Sequence, residues 1–91
     1  MASDKVTIQE LILTIRSFAQ DRDWEQFHAP KNLSMALAAE AGELMEHFLW
    51  CESEKSRQFC ENPEKKVAIA DELADVLIYA LRFADVACID P

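Results

Sequence analysis

The chain has a single glycine, Gly42, among 91 residues, together with three prolines. Sheets and phosphate-binding loops rely on glycine in tight turns, because glycine adopts left-handed backbone conformations without a steric penalty. A chain this poor in glycine is expected to fold as helices joined by few connections, and a glycine-rich phosphate loop is excluded. We predict an all-α fold, a small antiparallel helical bundle, with residues 1–91 forming one domain.

The apolar content of the chain bears on its assembly. Apolar residues make up 51% of the sequence, which is more than a small interior can hide. A domain of this size buries only about 60–65% of the surface that its unfolded chain exposes. We therefore expect the bundle to be completed by dimerisation or tetramerisation, which would cover the surplus apolar surface.

The net charge of −8 argues against a nucleic-acid duplex as a partner, because duplex binding needs clustered Lys and Arg. An acidic protein can still bind a nucleotide if a divalent cation bridges the two. The three cysteines contain no CxxC pair and predict neither a disulfide framework nor a zinc site. No signal peptide or membrane span is visible, so we expect a cytoplasmic protein with reduced thiols.

Hydrophobic spacing predicts three long helices. Thr7 and Glu10 form a capping box at the start of the first helix, and Asn62 followed by proline caps the last. The three helices are predicted to begin at Thr7, near Pro30 and at Asn62, and to end at the polar run 20–23, near Trp50 and near Ala87. Residues 51–61 are expected to form a loop with a short helical turn.

The last predicted helix is apolar on nearly every side between Lys66 and Arg82, as is typical of a central, buried helix. The charged residues inside this stretch are Asp71, Glu72 and Asp75. Unpaired carboxylates in such a setting would cost several kcal/mol each. They must be protonated, face a wet cavity or bind a cation. A bound metal fits best, because the stretch itself contains no Lys or Arg.

The second predicted helix carries acids at every third position, Glu40, Glu43 and Glu46. Gly42 lies among them, inside a helix where glycine costs about 1 kcal/mol relative to alanine, and this predicts a neighbour that closely approaches the backbone. If the helices pack antiparallel at about 8–10 Å, the pairs Glu40-x-x-Glu43 and Glu72-x-x-Asp75 bring four carboxylates to one space. Oxygen ligands of this kind suit Mg²⁺, with Mn²⁺ as the alternative.

Three longer motifs share a family pattern: Asp23-Trp-Glu-Gln-Phe-His-Ala-Pro-Lys-Asn-Leu33, Glu40-Ala-Gly-Glu-Leu-Met-Glu46 with Phe48-Leu-Trp50, and Asp71-Glu-Leu-Ala-Asp-Val-Leu-Ile-Tyr79. They resemble the MazG-like, all-α nucleoside triphosphate pyrophosphohydrolases, in particular the short branch that includes the dCTP pyrophosphatases. The resemblance covers roughly residues 8 to 88.

That resemblance implies Mg²⁺-dependent hydrolysis of a (deoxy)nucleoside triphosphate between its α and β phosphates, with dCTP or dATP favoured and cleansing of the nucleotide pool as the role. It implies four metal ligands: Glu40, Glu43, Glu72 and Asp75. The implied nucleoside-pocket residues are Trp24, Trp50 and Tyr79, and His28 is a further candidate, first as a structural residue and second as a pocket residue. The general base is expected to be Glu43 or Glu46, and the sequence does not choose between them.

Two other hypotheses stay open. One is a non-enzymatic acidic helical dimer that acts as an interaction module with solvated carboxylates. The other is a carboxylate-bridged redox protein, although the single Glu25-x-x-His28 pair lacks the second Glu-x-x-His pair that a di-iron bundle needs. The family resemblance also implies a basic segment after the last helix, whereas this chain stops at Pro91. We expect either a truncated chain or a neighbouring subunit that supplies positive charge.

Overall fold

The computed structural model describes residues 5–91 of the chain. Its four α-helices are α1 (Ile8–Asp21), α2 (Pro30–Glu46), α3 (Ser56–Glu61) and α4 (Pro63–Val86), and two 3₁₀ turns lie at Glu25–Phe27 and Ser53–Lys55. The described residues contain no strand, so the predicted all-α fold is confirmed. Over the same residues, no helix is both long and apolar enough to cross a membrane.

Helix α4 lies at the centre of the fold. It packs against α2 over its longest interface and also against α1 and α3. The apolar core is small and consists of Ile12, Ala19, Leu33, Leu81 and Ala84. Leu33 on α2 is the largest side chain that is fully buried. The core therefore joins α1, α2 and the C-terminal part of α4.

The predicted helix starts are confirmed. The Thr7 hydroxyl accepts the Glu10 N–H at 3.0 Å at the start of α1. The Asn62 side-chain oxygen accepts the N–H groups of Glu64 and Lys65 at 3.0 and 3.2 Å at the start of α4. Each bond satisfies a backbone donor that has no partner inside its helix. Pro30 occupies the first turn of α2, where its missing N–H costs nothing.

The predicted end of α2 near Trp50 is wrong, because the helix ends at Glu46. In the residues that follow, backbone N–H groups bond to carbonyls three positions back, which tightens the turn. Phe48 then meets Phe59 of α3, with ring centroids 5.3 Å apart. The segment 51–61, predicted as a loop with one helical turn, is mostly helical and contains both a 3₁₀ turn and α3.

The prediction that α4 is buried on nearly every side is also wrong for a single chain. Leu73, Leu77 and Ile78 are 53%, 51% and 44% exposed. The burial is concentrated near the C-terminal end of the helix, where Leu81, Arg82 and Ala84 lie in the core. The helices within residues 5–91 leave this side of α4 uncovered.

The surroundings of Gly42 differ from the expectation. A Cβ built at this position would meet no atom within 4 Å in the described chain. The glycine also has no positive φ. The predicted close neighbour is therefore absent from residues 5–91, and neither backbone conformation nor packing inside this chain requires glycine here.

Candidate functional site

Helices α2 and α4 bring three predicted metal ligands together. One carboxylate oxygen from each of Glu40, Glu43 and Glu72 lies within 4.8 Å of the other two. Glu40 and Glu43 are three residues apart, so they project from the same side of α2. This side faces α4, which carries Glu72. We call these three residues the acidic cluster.

The acidic cluster is short of hydrogen-bond partners. The Oε2 atoms of Glu40 and Glu72 are buried, and neither has a hydrogen-bond partner among the described residues. Buried polar atoms in folded proteins are almost always paired. The ion pairs found within residues 5–91 do not involve these carboxylates. The cluster therefore holds acceptor oxygens that a cation would satisfy.

Repulsion within the acidic cluster changes its proton affinity. A hydrogen bond with Glu43, burial and the charges of Glu43, Asp75 and Glu72 raise the pKa of Glu40 to about 7. Burial raises the pKa of Glu72, helped by a hydrogen bond with Glu43 and by the charges of Glu43 and Asp75. Glu40 therefore exchanges its proton close to neutral pH where no cation is bound. A divalent cation would compete with that proton.

Asp75, the fourth predicted ligand, lies outside the group of three oxygens. It is one turn after Glu72 on α4, and its charge acts on both Glu40 and Glu72. It also lines the neighbouring cavity, whose volume is about 450 Å³. Asp75 thus lies between the acidic cluster and this cavity.

The cavity contains three of the four predicted nucleoside-binding residues: Trp24, His28 and Tyr79. Apolar side chains of α1 and α4 form much of its remaining wall, namely Ile15, Phe18, Ala19 and Ile78. Phe18 contacts Trp24 edge-on, with ring centroids 5.4 Å apart. The volume falls in the range of small-molecule sites, about 300–1,000 Å³. An aromatic, mostly apolar cavity with a few polar groups can hold a nucleoside.

Trp50, the fourth predicted nucleoside-binding residue, lies elsewhere. It is 97% exposed and borders a separate depression together with Lys55 and Lys65. Because the α2 helix ends early, Trp50 follows the turn after that helix rather than extending its face. Trp24 and Trp50 therefore line two different cavities.

Glu46 and His47 lie beside the acidic cluster. With Glu43 and Glu72 they line a shallow depression. The charge of His47 opposes the upward shift in the pKa of Glu72. His47 was not among the residues predicted from the sequence to belong to the site. Its position four residues after Glu43, one helical turn further along the chain, was the available signal.

Arg82 is a buried, charged residue of the cavity that was not predicted from the sequence. It is 4% exposed, and its Nε donates a hydrogen bond to Nδ1 of His28 at 3.0 Å. Arg82 follows Asp75 and Tyr79 at seven and three positions, so all three share one face of α4. Its Nη2 also lies 3.7 Å from Glu25 Oε1. Glu25 and His28, the residues that resemble half of a di-iron motif, therefore both contact Arg82.

Comparison with known proteins gives consistent results. A family model described as the MazG-like family matches residues 35–91, more than half of the chain. The dCTP pyrophosphatase 1 of Bos taurus and that of Homo sapiens are each 40% identical to it over 82 residues, which cover 90% of this chain and 48% of each relative. The chain thus spans about half the length of the curated relatives it matches.

A solved structure extends this similarity to the fold. The crystal structure of a pyrophosphatase from Archaeoglobus fulgidus superposes with a TM-score of 0.83 at 39% sequence identity. The match covers 91% of this chain and 76% of that one. The family resemblance inferred from the three sequence motifs is confirmed.

Proposed function

Since the chain belongs to the MazG-like family, we propose that it is a Mg²⁺-dependent nucleoside triphosphate pyrophosphohydrolase. It would hydrolyse a (deoxy)nucleoside triphosphate between the α and β phosphates and release a monophosphate and pyrophosphate. The observation that carries the proposal is the acidic cluster, with its unpaired buried oxygens, beside a cavity of nucleoside size. We propose dCTP and dATP as the favoured substrates and removal of unwanted nucleotides as the role; the relatives named dCTP pyrophosphatase support cytosine.

The proposed metal ligands are Glu40, Glu43 and Glu72 of the cluster, together with Asp75. The unpaired Oε2 atoms of Glu40 and Glu72 support this assignment, because each lacks the partner that a buried oxygen requires. Carboxylate oxygens are the ligands that Mg²⁺ prefers, and Mn²⁺ is the alternative. When bound, such an ion would neutralise phosphate charge and lower the pKa of a coordinated water.

We assign the general base to Glu46 in preference to Glu43. Glu43 lies inside the cluster, with one of its oxygens within 4.8 Å of oxygens of both Glu40 and Glu72. Glu46 is one turn further along α2, exposed, and borders the same depression as Glu43 and Glu72. An uncommitted carboxylate at this point can accept the proton of an attacking water.

The nucleoside is proposed to lie in the cavity beside Trp24 and Tyr79. Trp24 is 41% exposed, so one part of its ring is available to a base, and stacking on an aromatic side chain is worth about 1–3 kcal/mol per base. Tyr79 lies one turn after Asp75 on the same face of α4, which supports contact of its hydroxyl with the substrate near the metal ligands.

We further propose that the enzyme works as a homodimer or homotetramer. Leu73 and Leu77 leave one side of α4 exposed, and a second copy would cover it. An oligomer would also allow Trp50, which lies outside the cavity of its own chain, to contribute to a neighbouring site. Sedimentation over a hundredfold range of protein concentration tests this; a monomer throughout the range would contradict it.

The decisive test is pyrophosphate release from a panel of nucleoside triphosphates with and without Mg²⁺. We expect Mg²⁺-dependent release by the wild type and a loss of at least about 100-fold in kcat for Glu72→Gln, the order seen when one stabilising group is removed from a reaction site. Glu64→Gln is the matched control: it lies exposed in the first turn of α4 and should retain activity. Circular dichroism would check the fold of both variants.

The same assay separates the competing hypotheses. An interaction module would release no pyrophosphate from any triphosphate, and its stability would not respond to Mg²⁺. A redox metal protein would bind iron and show a visible charge-transfer band. Full activity of Glu72→Gln would contradict the proposed site, and an inactive wild type across the whole panel would contradict the proposed function.

A further inference from the structure

Arg82 is a buried cation at the edge of the nucleoside-sized cavity. It shares one face of α4 with Asp75 and Tyr79, and all three line the cavity. Its side chain is 5% exposed. A buried guanidinium is costly unless its donors are paired. The partners of Arg82 therefore indicate what it does.

Carboxylates fix the outer part of the Arg82 guanidinium. Its Nη1 donates to Asp85 Oδ2 at 3.1 Å, and its Nη2 lies 3.7 Å from Glu25 Oε1. Asp85 is held in turn by Arg16 of α1, whose Nε donates to it at 2.9 Å. Since Asp85 and Glu25 contact the two outer nitrogens of Arg82, its Nε–H remains for Nδ1 of His28, at 3.0 Å.

This hydrogen bond decides the protonation of the His28 ring. An arginine Nε is always a donor, so the ring nitrogen that faces it must be an acceptor. Nδ1 therefore carries no proton, and the neutral ring carries its proton on Nε2. Burial lowers the pKa of His28, and the Arg82 charge lowers it further, while the Glu25 charge acts in the opposite direction. Each of these groups acts on the ring from α4 or from the connection before α2.

We infer that Arg82 is a positioning residue that holds His28 as the Nε2–H tautomer, so that the cavity offers a fixed hydrogen-bond donor to the nucleoside. The identity of the ligand rests on the proposed function, whereas the tautomer does not. A donor of fixed orientation pairs with a carbonyl oxygen or an unprotonated ring nitrogen and penalises a ligand that presents an N–H there. Arg82 thus contributes to recognition of the base through His28, without contacting the base itself.

The tautomer is tested by nitrogen NMR of the ¹⁵N-histidine-labelled full chain at neutral pH without ligand. In the wild type, His28 should show a protonated Nε2 and an unprotonated Nδ1. Arg82→Met should give a mixture of tautomers and let the ring accept a second proton at a higher pH. Arg16→Met is the matched control, because it removes the other guanidinium from Asp85 and leaves the bond to His28 intact.

Arg82→Lys keeps a charged donor and should restore part of the Nε2–H signal, which a purely structural role of Arg82 would not require. A wild-type spectrum with His28 protonated on Nδ1, or with a cationic ring at neutral pH, overturns the inference. The NMR spectrum of wild-type His28 is sufficient for this test, so the test is valid even if Arg82→Met fails to fold.

Kinetics then test the connection with the ligand. Loss of one oriented hydrogen bond predicts a rise in KM of about 3- to 10-fold for Arg82→Met with little change in kcat. Arg16→Met should stay within about twofold of the wild type. An unchanged KM in Arg82→Met, with the tautomer preference lost, overturns the role in recognition. An inactive wild type contradicts the proposed function alone, and the NMR result still decides the positioning role of Arg82.

Discussion

Replacement of Asp85 by asparagine removes the carboxylate on which two guanidinium groups converge. Arg16 reaches it from α1 and Arg82 from the preceding turn of α4. The side chains of Asp85 and Arg82 are 12% and 5% exposed, whereas that of Arg16 is 41% exposed. The variant therefore leaves Arg82 as a buried cation that has lost its main counter-ion.

The size of the effect follows from this burial. Removal of one partner from a buried ion pair costs about 3–5 kcal/mol. Glu25 offsets part of the loss, but it is 52% exposed, and a pair with an exposed partner contributes only about 0.2–1 kcal/mol. Asparagine also keeps one oxygen that can accept a hydrogen bond. We expect a loss of about 2–3 kcal/mol in the free energy of unfolding, which is roughly a 30- to 150-fold change in the folding equilibrium.

Urea unfolding at a single protein concentration measures this loss, with the slope of the transition as a check that both proteins unfold alike. Glu52→Gln is the control: it removes an exposed pair with Lys55 at 3.9 Å, whose side chains are 64% and 67% exposed. This control should cost no more than about 0.5 kcal/mol. The comparison separates a buried ion network from an ordinary surface pair.

The pH dependence adds a second check on the same residue. The hydrogen bond from Arg16, supported by the charges of both arginines, lowers the pKa of Asp85 below its ordinary value. Such a carboxyl contributes its full stability above its unfolded pKa of about 3.9 and loses it as the pH falls through its folded pKa. The difference between wild type and variant should therefore be constant from about pH 5 to 8 and shrink in stronger acid. A difference below about 1 kcal/mol at neutral pH would refute the reasoning.

Three further predictions concern Gly42, the apolar core and the acidic cluster. Gly42→Ala should stabilise the chain by up to about 1 kcal/mol in thermal or urea unfolding, because a Cβ meets nothing within 4 Å there; a loss of stability would mean that a partner approaches this backbone. Leu33→Ala should lower the free energy of unfolding by about 2–5 kcal/mol, because it leaves a cavity in the core. Leu49→Ala is the control: its side chain is 55% exposed, and the change should lower the same quantity by about 0.5 kcal/mol. Equal decreases in urea unfolding would contradict the assignment of Leu33 to the core. In EDTA, the free energy of unfolding should fall as the pH rises from about 4.3 to about 7, the pKa of Glu40 in the folded chain. The reason is that the folded state binds more protons than the unfolded state between these two pH values. If Glu40→Gln shows the same pH profile as the wild type, Glu40 is not the origin of the effect.

The features that could be predicted from sequence are those decided within one or two helical turns. Thr7 and Asn62 cap their helices through hydrogen bonds that span two or three residues. The true end of α2 could not be predicted in this way, because it accompanies a contact between Phe48 and Phe59 of another helix. The exposed side of α4 could not be predicted for a related reason. Apolar residues on every side of a helix predict burial, but they do not show whether the same chain or a second copy buries them.

The candidate site shows the same division. The acids of α2 and α4 stand out in sequence because each pair shares one face of a helix, and the structure brings Glu40, Glu43 and Glu72 within reach of one another. In the sequence, Arg82 only marks the end of an apolar stretch, and nothing there predicted a role for it in the site. Its partner His28 lies 54 positions earlier in the chain, in a connection rather than in a regular helix, so no periodicity relates the two.

Two carboxylates of α4 have opposite surroundings. Asp85 is neutralised by arginines from α1 and α4, and its pKa is lowered. Glu72 lies on the same helix, packed against α2, yet its pKa is raised and its buried oxygen has no partner in the described chain. This fold places two guanidinium groups beside Asp85, but it places none beside Glu72 within residues 5–91. Because the acids of the cluster are held together without such a partner, their arrangement supports the cation site proposed above.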